Sequence, residues 1–425
     1  MDSAKALLSF IARCPSPYHV VAAEVARLRT AGFSPLVWGE PWQLMPGGSY
    51  YVPVFGSALF AFRVGEKPSQ GLRVAAAHTD FPGFRLKPRA GKAQEGYGLV
   101  NVEPYGGLIL SSWLDRPLSL AGQVALRSDD PFAPELRTVD LARPLLTIPR
   151  LAIHLNREVN EKGEKLDRQK DMTPVAALLA AEEGDGFFPA LLARKLDVAP
   201  DDILAWDLNL YPVEDGCTLG FSEELISSPR LDNLSGVKAC LDGILTAGAT
   251  EGLRVAALFD HEEVGSRTKQ GAASDLLPEL LAAIFRGLGG SGDDRAAALA
   301  GGFLLSVDAA HGLHPGHADK ADPTNRPRLG GGVVIKQAAS QNYVGDAAAQ
   351  AVIRELCRTQ DIPCQTFANR SNIPGGSTLG SIASARLLLR GQDVGVPLLA
   401  MHSARETMAA ADQDALERLV KAFLA

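Results

Sequence analysis

The chain of 425 residues is 46% hydrophobic and 21% charged, which suits a globular protein of one large domain or two ordinary ones. Its formal charge of −7, from 42 basic and 49 acidic residues with no clustered Lys/Arg block, argues against nucleic acid as a default partner. No apolar run approaches the roughly 20 residues of a membrane span. The five scattered cysteines never form a CxxC pair, and the start, MDSAKALLSF, is too charged for a secretory signal. A cytoplasmic protein with free thiols is therefore expected.

Helices are predicted over 3–13 and 17–31, divided by the CPSP stretch; Val20, Val21, Val25 and Leu28 recur at helical spacing. A short apolar strand follows at 73–78. From about 88 to 225 the pattern changes. SLAGQVALRS and ILAWDLNLYP alternate in the manner of strands, and NREVNEKGEKLDRQKD reads as a charged, mobile loop. Beyond it, helical patterns at 234–247, 276–287 and 344–360 lie between apolar runs at 254–259, 303–307, 333–336 and 397–401. GGSGDD, 289–294, reads as a surface loop, and a last helix follows a capping Asp412. Continuous apolar strands are those covered on both faces. The layout is α/β on a mixed sheet, residues 1–87 plus 226–425, with a largely β domain inserted at 88–225.

Five strand ends carry residues that can ligate a metal. In AAAHTDFPG, His78 and Asp80 leave an extended strand on one face, where a carboxylate can hold a histidine tautomer. A plain core or surface histidine would look the same. In SSPRLDNLSG, Asp232 and Asn233 precede a helical pattern and would equally serve as its N-cap. In LFDHEEVGS, Glu262 and Glu263 are adjacent, so one can ligate while the other faces a substrate; an exposed acidic turn is the alternative. Gly265 rules out HExxH. Asp308 follows the apolar run LLSV, and His311, His314 and His317 follow it at intervals of three. That trio could itself bind zinc, but the glycines and Pro315 argue against a regular helix, so Asp308 is preferred. His402 follows PLLAM directly. Together these residues sit where open α/β sheets place their ligands, at the carboxyl ends of strands. RLGGGVVIK and IPGGSTLGS lack both the GK[ST] ending of a P-loop and GxGxxG. Their glycines instead read as close approaches of backbone to a pocket.

With HTD, LDN, DHEEVGS, SVDAAH, MHSARE and LAIHLNRE in hand, the chain resembles the M18 metallopeptidases, the aspartyl aminopeptidase family, nearly end to end. That resemblance implies a two-metal site, normally two Zn2+ per subunit, with Co2+ or Mn2+ as acceptable substitutes. It implies His78 and Asp308 on one metal, Glu263 and His402 on the other, and Asp232 bridging. Asp80 would orient His78, and Glu262 would be the general base. It further implies a zinc-peptidase catalytic domain with a β dimerisation or lid insert, in homo-oligomers that are commonly dodecamers. His154 would then reach a neighbouring subunit's site. The family prefers peptides with N-terminal Asp or Glu, and Lys336, in GGVVIKQ, matches a family lysine that could pair with them; a solvated lysine at a strand edge is the alternative. Phe81, Gly330, Asn372, Gly375 and HPGHADK depart from the usual pattern but spare every implied ligand. Competing readings are a two-metal aminopeptidase of neutral, Leu-type specificity, a deacylase or carboxypeptidase, and an inactive scaffold relative.

Overall fold

The computed structural model describes residues 3–180, 184–248 and 251–425, which form two compact units. The first comprises Met1–Phe81, Gly216–Met401 and Glu406–Ala425; the second comprises Pro82–Asp215 and His402–Arg405.

In the first unit, four parallel strands lie side by side in the order Leu253–Phe259, Arg73–His78, Phe303–Val307 and Arg390–Gly395. Ala58–Val64 pairs antiparallel on one flank and Val333–Gln337 antiparallel on the other, within a sheet of nine strands. The apolar runs are continuous because both faces are covered. Ala75, Ala77, Ala256 and Leu258 pack with Leu234, Val237, Leu416 and Leu419 of the helices Leu231–Thr246 and Ala410–Leu424. Their neighbours in sequence, Val74, Ala76, Val255 and Ala257, point the other way, onto Leu277, Leu280 and Ile284 of the helix Leu276–Gly287. The register then aligns the strand ends. Phe259 pairs with His78, and Asp308 follows Val307, the partner of Val394. The segments that begin at His78, Asp260 and Asp308 thus leave the sheet at the carboxyl ends of neighbouring strands.

The strand Arg390–Gly395 departs from sequence expectation, since its residues are RGQDVG. Gln392 and Asp393 are fully buried in it. Gln392 Nε2 donates to the Lys336 carbonyl at 2.7 Å, and Asp393 accepts from Thr378 Oγ1 at 2.8 Å, which offsets the cost of burying them. The run expected at 397–401 contracts to Pro397–Leu398, paired with Ala310–His311. GGSGDD is not simply a loop either. Ser291 caps the helix Gly292–Ala300 in a reciprocal capping box with Asp294. Ser291→Ala is expected to cost about 1 kcal/mol, read as a lowered denaturation midpoint at unchanged slope. Asp412 is the third residue of the helix Ala410–Leu424, and its carboxylate bonds to the amide of the N-cap residue Ala409. Its two carboxylate oxygens accept from the amides of Gly330 and Gly332 at 2.8 Å each, and burial pushes its carboxyl up to about 6. The glycines of RLGGGVVIK therefore serve this carboxylate.

The second unit is a six-stranded antiparallel sheet in the order Glu135–Asp140, Leu118–Leu126, Ile203–Pro212, Gly83–Gln94, Tyr97–Tyr105 and Val175–Leu178. Its core gathers alternate residues such as Leu118, Leu120, Val124, Leu208 and Leu210. A Cβ at Gly122 would stand 2.0 Å from the Asp207 carbonyl oxygen, so the cross-strand approach requires glycine there. Residues 156–171 are largely irregular but include the short helix Val159–Lys162.

Candidate metal centre

The helix Leu231–Thr246 begins irregularly, with Asp232 and Asn233 outside helical dihedral angles. Asn233 performs the capping. Its Oδ1 accepts from the Gly236 amide at 3.2 Å, and its Nδ2 donates to the Val307 carbonyl at 2.8 Å, tying this turn to the strand that presents Asp308. The Asp232 carboxylate is thereby left to another purpose, while its amide donates to Glu406 Oε2 at 3.0 Å. Glu406 was within the MHSARE stretch, but nothing in its sequence setting assigned it a role.

The turn after Leu253–Phe259 is built to aim two glutamates. His261 adopts a left-handed φ of 64°, and its Nδ1 lies 2.7 Å from Thr268 Oγ1. Glu262–Val264 form one 3₁₀ turn, closed by Gly265 at a φ of 96° that favours glycine. The first two amides of that turn have no partner within it. Both donate to Asp80, from Glu262 to Oδ1 and from Glu263 to Oδ2, at 3.1 Å each. Asp80 also lies 3.3 Å from His78 Nδ1, whose other neighbour is the Asp80 carbonyl at 3.0 Å. One carboxylate thus fixes the histidine ring and both glutamates.

In the neutral ring, with Nδ1 donating to Asp80, the Nε2 of His78 carries the lone pair. It faces Asp308 Oδ1 at 3.4 Å and Asp232 Oδ1 at 3.6 Å. Ligand atoms of His78, Asp232 and Asp308 all lie within 4.8 Å of one another, as do those of His78, Glu262 and Glu263. With His78 neutral these are acceptors converging on acceptors, an arrangement that a bound cation or a proton on His78 or Glu262 relieves. Two ligand atoms on a tetrahedral zinc, each at about 2.0–2.1 Å, stand about 3.3 Å apart, close to the separations found here. The donor set and its spacing therefore fit zinc. The electrostatics agree. Burial opposes a charge on His78, yet Asp232, Asp308 and Asp80 raise its pKa well above the ordinary value. Burial, assisted by Asp308, Asp80 and Asp232 against the opposing His78, pushes the Glu262 carboxyl up to about 8. Asp80→Ala is expected to lower metal affinity or turnover by about 10–100-fold, checked by competitive chelation and initial rates.

His402 belongs to the second unit, where its Nδ1 lies 2.8 Å from the Gly107 carbonyl oxygen. His154 lies on the exposed 3₁₀ turn Ile153–Leu155 and not on a strand. Lys336 is not a solvated edge lysine: its strand is paired on both sides and its side chain is 2% exposed. Its Nζ donates to the Ala309 carbonyl at 2.8 Å and lies 3.4 Å from Asp308 Oδ2. Burial works against its charge, but Asp308 and Asp393 hold its pKa above the usual lysine value. The rings of His314 and His317 lie tilted at 43°, 4.9 Å apart between centroids, at a kinked 3₁₀ segment, and neither belongs to a ligand group found among the described residues.

Known proteins match this chain along its length. The family model described as Aminopeptidase I zinc metalloprotease (M18) matches residues 10–424. A Clostridium novyi protein named probable M18 family aminopeptidase 2 is 42% identical over 407 residues, spanning 95% of this chain and 94% of its own. A chain of the solved Ape4 and Nbr1 complex superposes with a TM-score of 0.95 at 34% identity, covering 100% of this chain and 85% of that one. The S. cerevisiae mApe1 dodecamer shares the fold, with a TM-score of 0.86 at 24% identity over 99% of this chain and 96% of that one.

Proposed function

Because the chain belongs to the M18 family of zinc aminopeptidases, we propose that it is a two-metal enzyme that removes N-terminal residues from peptides, preferring Asp or Glu. The observation that carries the reading is the convergence of His78, Asp232, Asp308, Glu262 and Glu263 at the carboxyl ends of the central strands. His78 and Asp308 would hold one ion, Glu263 and His402 the other, with Asp232 shared between them. A bound ion pair of this kind lowers the pKa of a water and polarises a scissile carbonyl. Glu262, next to that set and raised toward neutrality, takes a proton from the attacking water and returns it to the leaving amine. Asp80 keeps both glutamates and His78 in register.

Assembly into a homo-oligomer, with His154 serving a neighbouring copy, is supported by the exposure of Leu151, Ile153 and Leu155 around it, at 66%, 46% and 75%. The acidic preference is assigned to Lys336, whose cation an acidic first residue would have to share with Asp308. Lys336→Met is therefore expected to reduce the ratio of Asp-anilide to Leu-anilide hydrolysis by roughly tenfold. Metal analysis, paired with Asp-, Glu- and Leu-anilides and N-blocked peptides, tests the whole reading. Hydrolysis of the free-amine substrates alone, abolished by chelator and restored by zinc, is the result expected. Cleavage of N-blocked peptides would point instead to a deacylase or carboxypeptidase.

A further inference from the structure

We propose, resting on the aminopeptidase reading, that a second pocket of the first unit holds a carboxylate side chain of the peptide, downstream of its first residue. The pocket measures about 600 Å³ and is walled by the loops that follow the strands Phe303–Val307 and Cys364–Ala368. Lys320, Arg326 and Arg370 line it, together with His311, His314 and His317. Among the described residues its one acidic lining residue is Asp322. That carboxylate closes its own turn: Oδ1 accepts from the Thr324 and Asn325 amides at 3.0 and 2.8 Å, which keep its pKa low. Arg370 donates to Asn372 Oδ1 at 3.0 Å, and Lys320 has Asp319 4.0 Å away, an exposed pairing that neutralises little. Three fixed cations gathered in a chain of net charge −7 are a local reversal of sign. Leu313, Pro327 and Phe367 add an apolar lining. The matching ligand is an anion on a short apolar stem, such as a Glu or Asp side chain, and not a free inorganic anion.

The distance from the metal centre says which part of a peptide reaches it. The strand carrying Asp308 runs on past the main sheet. The amides of Asp308, Ala310 and Gly312 bond in turn to the carbonyls of Val394, Val396 and Leu398 at 2.9, 2.9 and 2.8 Å. That alternation is extended backbone, which puts His311 roughly 10 Å beyond Asp308. A small cluster of Ala310, Val334, Tyr343 and Phe367 fills the interval. Its Tyr343 ring lies 5.1 Å from Lys336 Nζ, and its Phe367 ring lies 5.9 Å from His311. An extended peptide advances about 3.3–3.6 Å per residue. With its first residue at Asp308, its third or fourth residue meets the pocket.

The test compares Leu-Ala-Glu-Glu-Ala with Leu-Ala-Lys-Lys-Ala in competition, for the native chain and for the double variant Arg326→Ala, Arg370→Ala. The ratio of kcat/KM is read, so that any general loss cancels. We expect the native chain to favour the Glu peptide by about tenfold, the double variant to approach parity, and Arg326→Lys, Arg370→Lys to keep most of the preference. A native ratio near one, or a ratio the double variant leaves unchanged, overturns the inference. So does a charge preference that follows the first residue alone. Leu-anilide hydrolysis by the native chain reports separately on the aminopeptidase reading. Should that fail, fluorescence anisotropy with the same two peptides, labelled at their C-termini, decides the pocket's selectivity by the same ratio.

Discussion

Glu262→Gln is expected to lower kcat by about 10²–10⁴-fold while leaving bound metal at the native level. Gln keeps the size and the hydrogen-bonding shape of Glu but cannot accept and return a proton. The turn that aims this residue is held through its backbone, since the Glu262 and Glu263 amides bond to Asp80, so the substitution leaves Glu263 and the ligand geometry in place. The pH profile gives a second readout. The carboxyl is pushed up to about 8 by burial and its acidic neighbours, and only the ionised form acts as a base. Activity therefore rises with pH through this titration, with a midpoint below 8 once cations favour the ionised form. The Gln variant loses that limb. Elemental analysis of the variant, beside its rates, is the check. Loss of metal would mean that Glu262 is a ligand and would overturn the division of labour between the two glutamates.

Asp232→Asn is expected to have the largest effect on metal content, lowering bound zinc from about two ions per chain to less than one and activity by at least about 10³-fold. The side-chain amide presents N–H groups where an anionic oxygen would serve two cations, and it removes one of the negative charges that make the site tolerant of them. The surrounding fold should survive. Asn233, not Asp232, caps the helix, and the Asp232 amide keeps its bond to Glu406. An unchanged melting temperature for the metal-free protein, measured beside zinc titration calorimetry, separates this effect from unfolding. Full zinc binding by the variant would remove Asp232 from the centre.

The alternation of faces along Val74–Ala77 and Val255–Leu258, all of them buried, explains why the central sheet was readable from sequence: strands covered on both faces are continuously apolar, and each such run ends abruptly at a polar residue. Those ends, His78, Asp260 and Asp308, are where the candidate ligands begin. The strand Arg390–Gly395 was not readable, because Gln392 and Asp393 occupy fully buried sheet positions and break the apolar pattern. Their partners, Lys336 and Thr378, are 56 and 15 residues away, and no local spacing reveals them. Asp412 was legible only in part, for a related reason. A carboxylate at the start of a helix resembles a cap, and only the fold brings Gly330 and Gly332 to it across about 80 residues of chain. Asp80 shows the converse. Spacing put it on the same face as His78 and the family resemblance implied that it orients the ring, but its hold on the two glutamate amides depends on the 3₁₀ turn that the left-handed His261 begins.

The most direct test of the central claim is an anomalous difference map recorded above and below the zinc edge, from crystals of the protein grown with zinc. Two peaks per chain are expected, one bounded by His78 Nε2, Asp232 and Asp308, the other by Asp232, Glu263 and His402. A map with no peak at these residues, or with zinc held only by the histidines 311, 314 and 317, would contradict that claim.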